Sequence, residues 1–284
     1  MNVREIGIGD SVYPPLLKEI KDPPKKLYCA GNVDLLRSRC VAIVGSRKMT
    51  EYGRWAGEKL GEVSAAGGLT VVSGLALGID ACAHRGALKG KGKTIAVLGC
   101  GLDVVYPVHN RNLKDRIERE GLLISEYPLG FTGTRYSFPA RNRIISGLSE
   151  AVIVVEAGIN SGALITAAHG GDQGRGVYAV PGNINSKYSL GVNLLLRDGA
   201  TPLVIPDDLL RDLGVEQKSE QAVEENLGED EKKVLQVLKK QGELSLDDLS
   251  RILGFPIGKT SGIVTILEMK GITHTALGKV FVAK

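Results

Sequence analysis

From Cys40 onward, short β-branched apolar runs alternate with stretches of helical periodicity, and most of the runs end on small residues. Val41-Ala42-Ile43-Val44 meets Gly45, Thr70-Val71-Val72 meets Ser73-Gly74, and Thr94 to Leu98 meets Gly99. Val152 to Val155 leads into Glu156-Ala157-Gly158, and Val177-Tyr178-Ala179-Val180 into Pro181-Gly182. Leu122 to Ser125 and Pro202 to Ile205 are two further strand candidates. Near-continuous apolar strands separated by helices predict a mostly parallel sheet covered on both faces. The fold class expected is α/β: an extended Rossmann-like, doubly wound sheet over 41–213, with a small C-terminal winged-helix domain.

Before this core, Tyr13-Pro14-Pro15 and Asp22-Pro23-Pro24 forbid a long helix. Residues 1–40 are expected as an extended arm packed on the core, with a short strand at Leu27 to Ala30. After Leu213-Gly214, the glutamates at 216, 220, 224, 225 and 229 mark an acidic linker over 214–229. Residues 230–284 predict helices at Glu231–Lys240, Ser245–Leu253 and Gly258–Lys270, the second opened by Ser245-x-x-Asp248 and the third stopped by Gly271. Two short strands, Ile272–Thr275 and Lys279–Val282, complete a winged helix.

Composition narrows the function more by exclusion than by assertion. With 284 residues and 43% apolar content, the chain buries one full core and leaves enough for a small second domain. No run of about 18 apolar residues occurs, and Arg4, Glu5 and Asp10 interrupt the start, so a cytoplasmic protein without a membrane span is expected. Cys29, Cys40, Cys82 and Cys100 show no C-x-x-C spacing, which predicts buried thiols and no metal site. The first 214 residues hold 26 Lys and Arg against 21 Asp and Glu, while the last 70 hold 10 against 11. The larger part is therefore basic and the tail slightly acidic, compatible with a nucleic-acid partner for the former.

In an open parallel sheet, the loops at the carboxyl ends of neighbouring strands share one crevice. Here they are Gly45-Ser46-Arg47, Ser73-Gly74, Gly99-Cys100-Gly101, Gly158 to Gly162 and Pro181-Gly182. Glycine admits close backbone approach, and helix N-termini add N–H donors, so an anion is expected. The G-S-R-K-M-T run from Gly45 lacks dinucleotide-fingerprint spacing, and no acidic residue directly follows the Thr70–Val72 strand to hold a ribose. Gly92-Lys93-Thr94 imitates a P-loop, but Thr94 opens a strand where that motif needs a helix. No cofactor is expected. Arg47 at a βα turn, Arg141, Asn142 and Arg143 after Phe138-Pro139, and the rings of Tyr106 and Phe138 suit a polymer better. Arginines on phosphates and aromatic faces under bases serve sequence-tolerant single-strand binding.

Seven ordered motifs over about 160 residues resemble the DprA/Smf family of DNA-processing proteins. They are V-A-I-V-G-S-R at 41–47, V-V-S-G-L-A-L-G-I-D-A-C-A-H-R-G-A-L at 71–88, T-I-A-V-L-G-C-G-L-D-V-V-Y-P at 94–107, S-E-Y-P at 125–128, F-P-A-R-N-R-I-I-S-G-L-S at 138–149, S-G-A-L-I-T-A at 161–167 and V-P-G at 180–182. The resemblance implies a non-catalytic, homodimeric protein that binds single-stranded DNA and delivers the RecA recombinase during transformation or recombination. It implies that Arg47 contacts DNA phosphate and that Arg141 and Arg143 line the same groove; with the strand-end turns and rings read above, the DNA site is expected at Gly45, Ser46, Arg47, Gly74, Gly101, Tyr106, Phe138, Arg141, Asn142, Arg143, Ser161 and Gly162. Many members carry a lysine after the Tyr-Pro pair; Val108 stands there, so His109, Arg111 or Lys114 is expected to substitute.

Two alternatives stay open at this stage. A nucleotide phosphoribohydrolase on a related fold would need a P-G-G-x-G-T-x-x-E loop, which neither Pro181-Gly182-Asn183 nor Glu156 to Gly162 supplies. A winged-helix regulator of duplex DNA would read bases with Lys259, Thr260 and Ser261 at the start of the third helix.

Overall fold

The computed structural model describes residues 2–215, 227–270, 272–276 and 278–282, in two compact units that part between Glu216 and Gln217. Glu216, Glu220, Glu224 and Glu225 of the acidic stretch, and Gly271, lie outside the described residues.

Among the described residues, the first unit is a nine-stranded sheet with nine α-helices and two short 3-10 helices. Its strands are β1 (Arg4–Gly7), β2 (Lys26–Gly31), β3 (Cys40–Val44), β4 (Thr70–Ser73), β5 (Thr94–Leu98), β6 (Leu122–Ser125), β7 (Ala151–Val154), β8 (Gly176–Ala179) and β9 (Thr201–Pro202). The helices are α1 (Pro15–Lys18), α2 (Glu51–Ala66), α3 (Ile79–Lys89), α4 (Arg111–Glu120), α5 (Ser137–Ala140), α6 (Asn142–Gly147), α7 (Gly162–Asp172), α8 (Leu190–Arg197) and α9 (Asp208–Asp212). The sheet order is β1-β2-β6-β5-β4-β3-β7-β8-β9. All pairings from β6 to β9 are parallel, whereas β2 runs antiparallel to β6 and to β1. The segment 2–40, expected as an arm lying on the core, thus extends the sheet itself by two strands.

Alternate residues of the central strands feed different cores, which is why both periods of each run are apolar. Cys40, Ala42 and Val44 of β3, with Val152 and Val154 of β7, face a layer built by Ile144 and Ile145 of α6, Ala163 and Ala167 of α7, and Tyr13, Leu17 and Ile20 of the N-terminal segment. Val41 and Ile43, with Ala151 and Ile153, face Ala56, Leu60 and Val63 of α2 and Ile79, Ala83 and Ala87 of α3. Burying both faces of parallel strands is what their continuous hydrophobicity requires.

Helices α2 and α3 pack backbone to backbone through glycine. A Cβ on Gly86 would stand 2.0 Å from the Glu58 carbonyl oxygen, and one on Gly61 would stand 2.3 Å from that of Ala83. The expected strand Pro202 to Ile205 is shorter than read: only Thr201–Pro202 pairs with β8, and Val204 and Ile205 are exposed.

The second unit has helices α10 (Glu229–Gln241), α11 (Leu246–Leu253) and α12 (Ile257–Met269) and strands β10 (Leu244–Ser245), β11 (Thr273–Ala276) and β12 (Lys279–Val282). Its antiparallel sheet has the order β10-β12-β11. Ser245 caps α11 by accepting from Asp248 N at 3.1 Å, and Gly254 ends it at φ +67°. Val234, Leu235, Leu238, Leu249, Val264, Leu267 and Val280 form its core. No single helix among the described residues is long and apolar enough to cross a membrane. The four cysteines are free and buried.

Candidate nucleic-acid interface

Strand order reverses at β3: β4, β5 and β6 follow on one side, β7, β8 and β9 on the other. The loops leaving β3 and β7 therefore diverge and open a crevice at their carboxyl ends. Its volume is about 530 Å³, within the range of about 300–1,000 Å³ common for ligand sites. Gly45, Ser46, Arg47 and Lys48 line it from the β3 loop, Asn160, Ser161 and Gly162 from the β7 loop, and Phe138, Arg141 and Asn142 from α5 and α6. A smaller adjoining pocket continues past Arg47, Phe138 and Arg141 to Gly74, Gly99 and Tyr106.

Backbone bonds hold the rim in place. Ser46 N donates to Glu156 O at 2.7 Å, joining the two diverging loops, and Ile79 N donates to Ser46 O at 3.2 Å. Gly78, at φ +80°, lets α3 begin directly against the β3 loop, since a Cβ there would stand 2.2 Å from Ser46 O. Glu156 is buried; its carboxylate accepts from Thr50 N at 3.0 Å and from Thr50 Oγ1 at 2.5 Å. A dinucleotide would set its pyrophosphate at the N-terminus of the helix after the first strand. Here Glu156 already occupies that position at the start of α2, in agreement with the missing fingerprint.

Beneath the crevice lies an ion pair that motif reading passed over. Asp80 accepts from Gly74 N at 3.1 Å and from Ala76 N at 3.4 Å, and its Oδ2 is 3.9 Å from Arg141 Nη2. Arg141 is only 6% exposed and donates to Gly74 O at 2.5 Å, to Val97 O and to Asn142 Oδ1 at 3.1 Å. Burial pushes the Asp80 carboxyl up and the Arg141 guanidinium down from their ordinary values, against their mutual attraction. Arg141 thus lines the crevice as a brace tying the β4 loop to strand β5, with most of its donors already used. Asn142 is likewise a strut: its Nδ2 donates to Gly162 O at 3.2 Å.

Arg143 departs from its expected place. Its Nη2 donates to the Glu126 carboxylate at 2.8 Å and its Nε to Asp22 at 3.1 Å, and it lines neither pocket. Arg141 and Arg143 are two positions apart where the chain turns helical at Asn142, a spacing that puts them on different faces, so they point apart. Gly101 sits away from the crevice, its N–H donating to Phe131 O at 2.7 Å. His109 and Arg111 are exposed but line neither pocket. Lys114 is unsuited to replace the lysine missing at Val108: it is buried and donates to Leu102 O at 2.5 Å.

Charge at the rim comes instead from Arg47, Lys48 and Lys187, all exposed and none in an ion pair among the described residues. Flat apolar faces come from Phe138 and Tyr106, whose centroids are 4.8 Å apart, Tyr106 being 47% exposed. Ser137 Oγ donates to Gly99 O at 2.6 Å and so anchors the turn carrying Phe138. Lys48 directly follows the quoted G-S-R motif, whereas Lys187, Tyr188 and Asn160 lie in loops whose position depends on the β7 and β8 crossovers.

In the second unit, the residues proposed to read bases are mostly committed elsewhere. Thr260 is fully buried, and Lys259 pairs with Asp230 at 2.7 Å. Lys270 pairs with Glu231 at 2.7 Å, and α12 exposes Gly258, Gly262, Thr265, Ile266 and Met269. Lys259, the one lysine of α12, is held by Asp230, and the helix carries no arginine, asparagine or glutamine for bidentate contact with base edges.

Residues 4–214 match the family described as DNA recombination-mediator protein A, and residues 217–275 the DprA winged helix domain. The DNA processing protein DprA of Streptococcus pneumoniae is 46% identical over 204 residues, 72% of each chain. Protein Smf of Synechocystis is 46% identical over 210 residues, which are 72% of this chain and 52% of that protein, so the match spans about half its length. The X-ray structure of the pneumococcal protein superposes with a TM-score of 0.71 at 44% identity, over 74% of each chain. DNA processing protein A of Helicobacter pylori, described for its single-stranded DNA binding mode, superposes with a TM-score of 0.69 at 33% identity over 75% of this chain and 96% of its own. A Rossmann-like sheet with its crevice at the β3/β7 reversal, a winged helix following it in the sequence, and matches covering both place this chain in the DprA/Smf family of DNA-processing proteins.

Proposed function

We propose that the chain binds single-stranded DNA in the crevice between the β3 and β7 loops, without catalysing a reaction on it. The observation that carries this reading is the composition of the crevice lining: the cations Arg47, Lys48 and Lys187, none in an ion pair among the described residues, together with the ring of Phe138 and, in the adjoining pocket, that of Tyr106. Cations for phosphates next to faces for unpaired bases are the requirement of sequence-tolerant single-strand binding, and a duplex hides those base faces. Asp80 is the one carboxylate among the residues lining the larger pocket, and it is buried against two N–H groups and Arg141, which leaves it no free role as a base. Glu156 is spent on the start of α2. Family membership supports a role in recombination or transformation, with RecA as the recipient of the bound DNA and a homodimer as the working form. Ile184 and Leu190, exposed outside the crevice lining, are apolar side chains available to such self-association in the cytoplasm.

The deciding experiment is fluorescence anisotropy on equal lengths of single- and double-stranded DNA at several salt concentrations, with wild type and Arg47→Ala. Single strands are expected to bind more tightly, and Arg47→Ala to lower the log–log salt slope by about 0.7, one phosphate contact. Equal affinity for both DNA forms, or an unchanged slope in the folded variant, would place the DNA elsewhere.

A further inference from the structure

The two pockets adjoin and share part of their lining. Arg47, Ala76, Phe138 and Arg141 line both, Tyr106 lines only the smaller, and Lys187 and Tyr188 line only the larger. Tyr106 therefore stands on the side of the smaller pocket and Tyr188 on that of the larger, with Arg47 and Phe138 in the lining the two share. Tyr188 is half-buried, and the Lys187 ammonium lies 5.3 Å from its ring centroid. Neither residue belongs to a motif that suggested function from the sequence, and Lys187 has no carboxylate partner among the described residues.

The loop that carries them is held at both ends. Gly182 N donates to Asn193 Oδ1 at 3.3 Å and Asn193 Nδ2 returns a bond to Gly182 O at 3.0 Å. At the other end Gly191 N donates to Ala157 O at 2.7 Å, and within the loop Ser189 N donates to Ser186 O at 3.0 Å. Ser189 is buried directly under Gly182, where a Cβ would meet its Oγ at 2.2 Å. Side chains on a pinned loop lose little freedom when a ligand arrives, which favours a binding role.

We propose that Tyr188 and Lys187 form a second seat for single-stranded DNA, the ring stacking on a base and the ammonium on an adjacent phosphate, so that the strand is gripped at two aromatic stations. The inference rests on the single-strand reading and extends it to the Tyr188 side of the larger pocket. A nucleic acid seated at both stations covers more nucleotides than the Tyr106–Phe138 station alone, so the contribution of Tyr188 depends on strand length.

The test is anisotropy with labelled oligothymidylates of decreasing length, using the full chain and variants of matched melting temperature. On long strands Tyr188→Ala is expected to bind about 5- to 150-fold more weakly than wild type with an unchanged salt slope, the range of one lost stacking contact. Tyr188→Phe should bind as wild type, and Tyr188→Leu, which keeps the bulk and folds where alanine fails, should behave as Tyr188→Ala. Lys187→Ala should lower the slope by about 0.7. Below a threshold length the Tyr188 effect should vanish while that of Phe138→Ala persists. Wild-type affinity in Tyr188→Leu and Lys187→Ala on long strands would overturn the second seat and leave the crevice reading standing, whereas a wild-type protein that ignores single strands would overturn both.

Discussion

At the residue scale, burial decides which charged and polar groups are free to meet a ligand. Arg47, Arg141 and Arg143 are the same side chain within one fold, yet the first is exposed, the second braces the β4 loop against strand β5 and the third is paired with Glu126 and Asp22. His84 shows the same principle in a different chemistry. It is fully buried on α3; Thr94 Oγ1 donates to Val71 O and so accepts from His84 Nδ1–H at 2.7 Å, which leaves Nε2 as an acceptor without a partner among the described residues. Burial, with the positive charges of Arg141 and Arg85, lowers its pKa from 6.5 to about 3. The unfolded chain therefore takes up a proton between those values that the folded chain refuses. Stability contributed by neutral His84 is fully present above about 6.5 and is lost as pH falls toward 3, at up to about 1.4 kcal/mol per pH unit. Urea unfolding at pH 7, 5 and 4 should show this decline, and a folded His84→Asn variant should show a shallower one; parallel declines would remove His84 as the cause.

At the element scale, the α2–α3 contact places the crevice rim. The β3 loop leads into α2 and Gly78 begins α3, so the separation of the two helices sets where Ser46 and Arg47 stand. Gly61 and Gly86 permit that separation, each helix running within a Cβ radius of the other's carbonyl oxygens. Gly86→Ala should force the helices apart and destabilise the first unit by roughly 1–3 kcal/mol, a drop of about 2–4 °C in melting temperature for each kcal/mol. Gly171→Ala is the control: it lies in α7 with nothing within 4 Å of a Cβ, and should leave the protein equally or slightly more stable. Equal melting temperatures for Gly86→Ala and wild type would mean that the helix pair adjusts without cost. The helix periods and the Ser245 cap at the start of α11 were legible beforehand, because they depend on neighbours three or four residues away. The closeness of α2 to α3 was not, because G-x-x-x spacing is common in helices that touch nothing.

At the scale of the whole molecule, each of the two units has its own core, and the cations and rings assigned to DNA all lie in the first. A chain ending at Val215 is expected to keep most single-strand affinity and its salt slope, as measured by anisotropy beside the full-length protein. Loss of binding on truncation, with retention by a fragment covering 227–284, would transfer the interface to the winged helix. The exposed face of α12, small and apolar with Lys259 and the following Lys270 paired, argues against that outcome.

The sequence by itself determined the strand–helix alternation, the two-sided burial of the sheet, the winged helix and the glycine-rich turns at the strand ends. These follow from local periodicity and from turn chemistry that depends on a few adjacent residues. It also determined the family, because ordered motifs survive as text. Only the tertiary structure decided which motif residues serve the ligand and which serve the scaffold. Asp80 and Arg141 are 61 residues apart in the chain and meet only because the fold brings the start of α3 against the junction of α5 and α6, and Glu156 reaches Thr50 only because β7 lies beside β3. Whether an arginine is free is a property of what the fold packs against it, and Glu126 and Asp22 reach Arg143 from segments that no local pattern connects.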